Sequence, residues 1–79
     1  MSEQEVFAVV KKVVLEVLPF LGEADVEIDK SLKDLGANSI DRMEVVTGSL
    51  EELNVQVPLT EFGKVKNLRG LVEVLRAHA

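Results

Sequence analysis

The sequence predicts an all-α protein, a bundle of three long helices and one short helix with a long loop after the first helix. Apolar residues recur at steps of three and four, and no segment shows the strict alternation of a half-buried strand. Residues typical of helix starts and helix ends flank these periodic segments. The chain has 79 residues, of which 47% are hydrophobic, enough for one small core. We therefore expect residues 1–79 to form a single domain.

The first helix is predicted from Glu3 to Leu18. Ser2 and Glu5 have the spacing of a capping box, in which each side chain binds a free backbone N–H of the first turn. Pro19 lacks a backbone N–H and disfavours helical geometry at the residue before it, so the helix should end there. The valines lower helix propensity, but their pattern is too long for one strand. The expected core residues are Val6, Val10, Val13, Val14 and Val17.

The connection that follows, residues 19–38, is longer than most helix–helix links, and loops of this length often carry function. The segment Asp29–Leu35 is expected to contain one helical turn. Gly36 supplies a flexible or left-handed backbone position just before the next helix. Apolar anchors are expected at Leu21, Val26, Ile28, Leu32 and Leu35.

A second helix is predicted from Ser39 to Leu53, and Asn54 suits its C-terminal end. Gly48 should weaken it, because glycine costs about 1 kcal/mol relative to alanine in a helix interior. The acids of this helix fall off its apolar stripe and should face solvent. The stripe expected to be buried comprises Ile40, Met43, Val46, Leu50 and Leu53.

The last third of the chain predicts one short and one longer helix. Pro58 suits the first turn of a short helix, Leu59–Phe62, which Gly63 should end. Asn67 is the expected N-cap of the final helix. Its apolar stripe is Leu68, Leu71, Val72 and Leu75.

The composition excludes several functions. With a net charge of −5, the chain is a poor partner for nucleic acid. It has no cysteine, and its one histidine, His78, is next to the C-terminus, so thiol nucleophiles and histidine-based catalytic triads are not expected. We therefore expect a binding or carrier protein rather than an enzyme.

Neither a metal site nor a membrane segment is expected. Asp25 and Asp29 have the acid spacing of a calcium loop, but Lys30 and Gly36 stand where that loop needs glycine and glutamate. Charged residues interrupt the longest apolar stretches, and the acidic N-terminus does not resemble a secretory signal. A cytoplasmic location is the expectation.

Charge is distributed unevenly along the chain. Residues 1–37 carry −4, residues 38–53 carry −3 and residues 54–79 carry +2. A basic partner should therefore prefer the first two thirds of the chain.

The most informative segment is Leu35–Glu44. The small residues Gly36 and Ala37 deliver Ser39 to the start of a helix, where free N–H groups and the positive end of the helix dipole would favour a phosphodiester. A serine at a helix start is most often only an N-cap, so the flanking pattern matters.

That pattern, G-x-[DN]-S-[LI] after a long loop and before an acidic amphipathic helix, resembles the acyl carrier protein family over essentially the whole chain. The resemblance implies a four-helix acyl-carrier-type bundle. It also implies that a phosphopantetheinyl transferase attaches 4′-phosphopantetheine from coenzyme A to Ser39, with Gly36 and Asn38 beside it. The attached thiol would then carry an acyl group, so Ser39 would be an attachment point. The family usually has Asp where this chain has Asn38, and that charge is associated with recognition and with the metal used in modification.

The string from Gly36 to Glu44 is similar to the stand-alone donor carriers of polyketide β-branching. This similarity implies an acetyl cargo, a partner resembling 3-hydroxy-3-methylglutaryl (HMG) synthase, and a ketosynthase-like decarboxylase or acyltransferase that loads the carrier. Asp41, Arg42, Met43 and Glu44 are the expected partner-facing residues, and Arg42 is the distinguishing one. Met43 also fits a plain core position, which its helical spacing favours.

Two alternatives remain open. One is a general carrier for polyketide or fatty acid chain extension, and the other is a small helical adaptor that is never modified. In either case a monomer is expected.

Overall fold

The computed structural model describes residues 1–79, and it confirms the all-α bundle. Three α-helices form the bundle: α1 (Glu3–Val17), α2 (Ser39–Leu53) and α3 (Leu68–His78). The short helix is a 3₁₀ helix over Leu59–Lys64, and a single 3₁₀ turn, Glu23–Asp25, lies in the long first loop. The bounds of α2 match the prediction, whereas α1 ends one residue early, with Leu18 as its C-cap.

Local side-chain contacts start and end the helices as the sequence predicts. Ser2 and Glu5 form the reciprocal capping box of α1. Asn67 caps α3 by accepting a hydrogen bond from the Gly70 N–H at 2.9 Å. Asn54 ends α2 in the left-handed region, with φ of 54°. The 3₁₀ helix, however, continues through Gly63, so the prediction that Gly63 ends it is wrong.

The core lies where α1 packs against α2 and α3. The predicted stripe of α3 is fully buried, and so are four of the five valines predicted for α1, with Val17 partly buried. Two of the loop anchors, Val26 and Leu35, also enter the core, Leu21 and Leu32 are partly buried against it, and Ile28 is half-buried.

The predicted buried stripe of α2 is wrong at two of its five positions, whereas Val46, Leu50 and Leu53 are partly buried against the core. Ile40 and Met43 are 69% and 49% exposed, and the buried residues of α2 are Val45 and Ser49. Ser49 is fully buried, and its hydroxyl has no hydrogen-bond partner. The apolar stripe of α2 therefore turns partly toward solvent, and smaller residues face the core.

Gly48 explains why the smaller face packs inward. A Cβ at this position would lie 2.8 Å from Val13 Cγ1, inside van der Waals contact. Gly48 thus permits α2 to approach α1 closely, and its cost in helix propensity is offset by this packing.

The long first loop is held against α3 by backbone hydrogen bonds. The N–H of Leu68 donates to the Lys30 carbonyl at 2.9 Å, and the N–H of Arg69 donates to the Ile28 carbonyl at 2.7 Å. The Arg69 side chain also pairs with Asp29, Nε to Oδ1 at 2.9 Å. Residues 29–35 form no continuous helix, but the Leu35 N–H donates to the Ser31 carbonyl at 3.3 Å, which is the one helical turn that the sequence predicts. This attachment fixes the loop end that leads to Ser39.

None of the helices combines the length and apolar character needed to cross a membrane.

Candidate functional site

A tight turn delivers Ser39 to the start of α2. Gly36 has φ of +92°, a left-handed conformation that side-chain-bearing residues rarely adopt. The ring of Phe20 lies 3.6 Å from the position a Cβ of Gly36 would take. The next N–H, that of Ala37, donates to the Leu32 carbonyl at 3.0 Å and closes the turn. The predicted left-handed backbone position of Gly36 is confirmed. The contact with Phe20 was not predicted.

Asn38, and not Ser39, is the N-cap of α2. Asn38 Oδ1 accepts a hydrogen bond from the Asp41 N–H at 2.8 Å, and the Asp41 carboxylate accepts one from the Asn38 N–H at 3.2 Å. Ser39 is consequently the first helical residue, it is exposed, and its hydroxyl takes no part in capping. The interpretation of Ser39 as an ordinary N-cap is therefore wrong.

The hydroxyl of Ser39 accepts a hydrogen bond from the side chain of Arg42. Arg42 Nη2 donates to Ser39 Oγ at 3.3 Å, across the i,i+3 spacing of one helical turn. Arg42 is exposed and forms no ion pair with a carboxylate. The structure thus brings together two of the predicted site residues.

Ser39 opens onto a groove of about 590 Å³ between α2, the 3₁₀ helix and α3. Its walls are largely apolar, and they include Met43, Leu59 and Phe62. Three basic side chains, Lys33, Arg42 and Lys66, also line it, and no carboxylate does. This groove is suited to a ligand that joins an anionic group to an apolar chain. We call it the serine groove.

A second groove, of about 530 Å³, lies on the other side of α2, between α2 and α1. It carries four acidic residues and no basic one, although Lys12 pairs with Glu52 at 3.4 Å. Its acidic residues are Glu16, Glu44, Glu51 and Glu52. We call it the acidic groove. Glu44 therefore lies on the opposite side of α2 from Arg42.

The four predicted partner-facing residues have different surroundings. Arg42 and Glu44 are exposed, and Met43 is exposed at the wall of the serine groove, so the preferred core position of Met43 is wrong. Asp41 is half-buried, and its carboxylate is engaged in the cap of α2.

Two basic residues that follow the 3₁₀ helix, Lys66 and Arg69, also have different surroundings. Lys66 lines the serine groove, whereas Arg69 turns away to Asp29 and Glu3. Leu59, Phe62 and Lys33 were missed as site residues. Leu59 could have been recognised because it is an apolar residue on a short helix for which the sequence suggests no packing partner.

Comparison with known proteins identifies the family of this chain. The phosphopantetheine attachment site family matches residues 8–75, which is most of the chain. The chain belongs to this family. It is an acyl carrier protein, and its family implies a covalently attached 4′-phosphopantetheine.

Two relatives of this acyl carrier protein narrow the context. It is 41% identical over 75 residues to the polyketide biosynthesis acyl-carrier-protein AcpK of Bacillus subtilis (strain 168), covering 95% of this chain and 92% of the relative. Its fold matches, with a TM-score of 0.89 and 32% identity, a chain of the crystal structure of the curacin biosynthetic pathway HMG synthase in complex with acetyl donor-ACP. That match covers 98% of this chain and 99% of the other.

The residues of this acyl carrier protein fit the prosthetic group that its family implies. Attachment needs an accessible hydroxyl whose loss does not break the helix, and Ser39 satisfies both conditions because Asn38 makes the cap. A phosphodiester needs donors, and Arg42 already reaches Ser39 Oγ. The serine groove offers apolar walls beside this point.

Proposed function

We propose that this protein is a donor acyl carrier for polyketide β-branching, with 4′-phosphopantetheine attached at Ser39. The observation that supports attachment most directly is the exposed hydroxyl of Ser39, which is free of capping and opens onto the serine groove. The similarity to a carrier found with an HMG synthase supports the donor role. In this proposal residues 1–79 act as one domain and as a monomer.

The chain contributes position rather than catalysis. During loading, Ser39 Oγ bonds to the phosphorus of coenzyme A that bears the pantetheine arm, adenosine 3′,5′-bisphosphate leaves, and the hydroxyl proton is lost to the transferase. Asn38 keeps the start of α2 closed during this exchange. Once bound, the group supplies a thiol on a flexible arm, which holds an acyl group, here acetyl, as a thioester. We propose no enzymatic role for the chain itself.

The proposed partner surface is the exposed face of α2 that begins at Ser39. Arg42 and Met43 present a positive charge and an apolar side chain on the serine-groove side, and Glu44 presents a negative charge on the other. Charge complementarity of this kind selects partners and orients their approach more than it adds affinity. We propose that a phosphopantetheinyl transferase, an HMG-synthase-like enzyme and a loading decarboxylase or acyltransferase bind this surface in turn.

Loading is tested by mass. The protein is incubated with coenzyme A and a broad-specificity phosphopantetheinyl transferase, and we expect a gain of one phosphopantetheinyl group. Ser39→Ala should abolish the gain while leaving the melting temperature nearly unchanged, because Ser39 does not cap α2. Ser31→Ala is the matched control, since it removes a hydroxyl from the same groove and should load normally. No gain with several transferases would indicate an unmodified adaptor.

The donor role needs a separate assay. Acetylated holo-protein is mixed with an HMG-synthase-like β-branching enzyme and an acceptor carrier loaded with acetoacetate, and acetyl transfer is followed by mass. We expect much faster transfer from this protein than from a chain-extension carrier loaded in the same way. Equal rates would reject the donor assignment and favour a general chain-extension carrier.

A further inference from the structure

Arg42 is the one arginine of the chain that lacks an acidic partner. Arg69 bonds to Asp29 and Glu3, and Arg76 bonds to Glu73. The recorded contact of the Arg42 side chain is to a neutral atom, Ser39 Oγ, at 3.3 Å. A guanidinium group offers five donors in a planar fork that matches a phosphate. Most of this capacity is unused in Arg42.

The surroundings of Arg42 favour an anion as the missing partner. In a chain with a net charge of −5, the serine groove is lined by Lys33, Arg42 and Lys66 and by no carboxylate. None of these three cations takes part in an ion pair. The acidic groove on the other side of α2 has the opposite composition. The lining of the serine groove is therefore positively charged, and the carboxylate nearest along the start of α2, that of Asp41, is outside this lining and engaged in the cap.

We propose that Arg42 binds in cis the phosphodiester carried on Ser39 and holds it at the rim of the serine groove. The inference rests on the proposed attachment at Ser39. Attachment replaces the hydroxyl proton with an anionic group at the atom that Arg42 already contacts. The charged guanidinium then faces an anion instead of a neutral hydroxyl, so an ion pair with the phosphate oxygens can replace the present hydrogen bond, and the planar fork can bind two of those oxygens at once. Lys33 and Lys66, which line the same groove, add to the positive potential.

In this proposal Arg42 is a positioning residue. It limits the directions in which the arm leaves Ser39, and it acts before any partner is present. An effect of Arg42 substitutions on partner enzymes would then arise partly from the position of the arm and not only from direct contact with the partner.

The test uses the full chain, first in the apo form and then loaded by a phosphopantetheinyl transferase, with loading verified by mass. In ¹⁵N-labelled protein, we expect the Arg42 Nε–Hε resonance to move on loading, while that of Arg76, which is paired with Glu73, stays in place. In holo-protein, the ³¹P resonance of the phosphodiester should move with added salt, because screening weakens a charge pair. Arg42→Gln should shift that resonance and remove its salt response, and Arg76→Gln should change neither.

The outcomes distinguish failure of the proposed attachment at Ser39 from failure of the proposed Arg42 contact. No mass gain removes the attachment on which this inference rests. A mass gain with an unmoved Arg42 resonance, or with the same ³¹P behaviour in wild type and Arg42→Gln, overturns the cis contact alone. Inorganic phosphate added to the apo-protein is the remaining arm. If millimolar phosphate moves the Arg42 resonance as far as loading does, the groove is a general anion site and the cis proposal is wrong.

Discussion

The backbone conformation of Gly36 determines the direction in which the chain enters α2. Its left-handed conformation turns the chain from the long loop into α2, and the Phe20 ring lies 3.6 Å from the place of a Cβ, an ordinary contact distance. The backbone conformation, rather than a lack of space, therefore constrains this residue. Asn38 and Ser39 follow directly, so the direction of the hydroxyl depends on this turn.

We predict that Gly36→Ala destabilises the protein by about 1–2 kcal/mol, because a left-handed backbone costs about this much for a residue with a Cβ. Urea unfolding of the purified variant measures the change. Gly63→Ala is the control, since Gly63 has open space around it and no positive φ. Equal stability of Gly36→Ala and wild type would show that the turn relaxes without cost.

The packing of α2 on α1 is set by small residues. Gly48 lies against Val13, and the neighbouring buried positions of α2 are Val45 and Ser49. Because the inward face is small, the larger apolar residues Ile40 and Met43 remain outside. The same helix thus provides both a close internal contact and an apolar outer surface beside Ser39.

Gly48→Ala should destabilise the protein by about 1 kcal/mol in wild type. Overpacking a buried contact costs about 1–3 kcal/mol, and the gain in helix propensity, about 1 kcal/mol, does not cover it. In a Val13→Ala background the methyl in the way is gone, and Gly48→Ala should then stabilise. A double-mutant cycle by urea unfolding checks this reversal of sign. Stabilisation in both backgrounds would contradict the close approach.

The sequence predicts the ends of the elements better than the faces of α2. Asn54 and Pro19 end helices through local backbone conformation, which can be predicted from the residues next to them in the sequence. The orientation of α2 depends on its contact with α1, which joins residues as far apart in sequence as Val13 and Gly48. This contact cannot be read from the local sequence, so the apolar character of Met43 alone led to its assignment to the core. Attachment at Ser39 is predicted from the family pattern that begins at Gly36, whereas the serine groove forms only where the first loop, α2, the 3₁₀ helix and α3 meet.

At the scale of the whole molecule, the long first loop is tied to a helix far along the chain. Arg69 bonds to Asp29, 40 residues away, and backbone hydrogen bonds flank this pair. The Arg69 hydrogen bond holds the pKa of Asp29 below its ordinary value of 3.8. Loop, α1 and α3 meet at Arg69, because Glu3 also reaches it.

This pair gives stability a pH dependence of known sign. With the pKa of Asp29 lowered by folding, its contribution is present above the unfolded value of 3.8 and is lost as pH falls through the folded value. We predict that Asp29→Asn is less stable than wild type at neutral pH and that the difference shrinks as the pH falls below 3.8 and the wild-type carboxylate becomes protonated. Urea unfolding at several pH values measures it.

Glu27→Gln is the control for this pH series, because Glu27 is exposed and its side chain has no recorded partner. Its difference from wild type should stay small at every pH. A gap between Asp29→Asn and wild type that persists undiminished in acid would show that the pair acts through packing rather than charge.

The two grooves that flank α2 carry opposite charge, and this arrangement gives the helix a distinguishable left and right side. For charge complementarity, an enzyme that binds the exposed face of α2 needs acidic groups on the Arg42 side and basic groups on the Glu44 side. If the carrier binds after a rotation of 180° that exchanges these two sides, each side faces like charge. The charge asymmetry therefore favours one orientation of the carrier on its partner, and with it one direction for the group attached to Ser39.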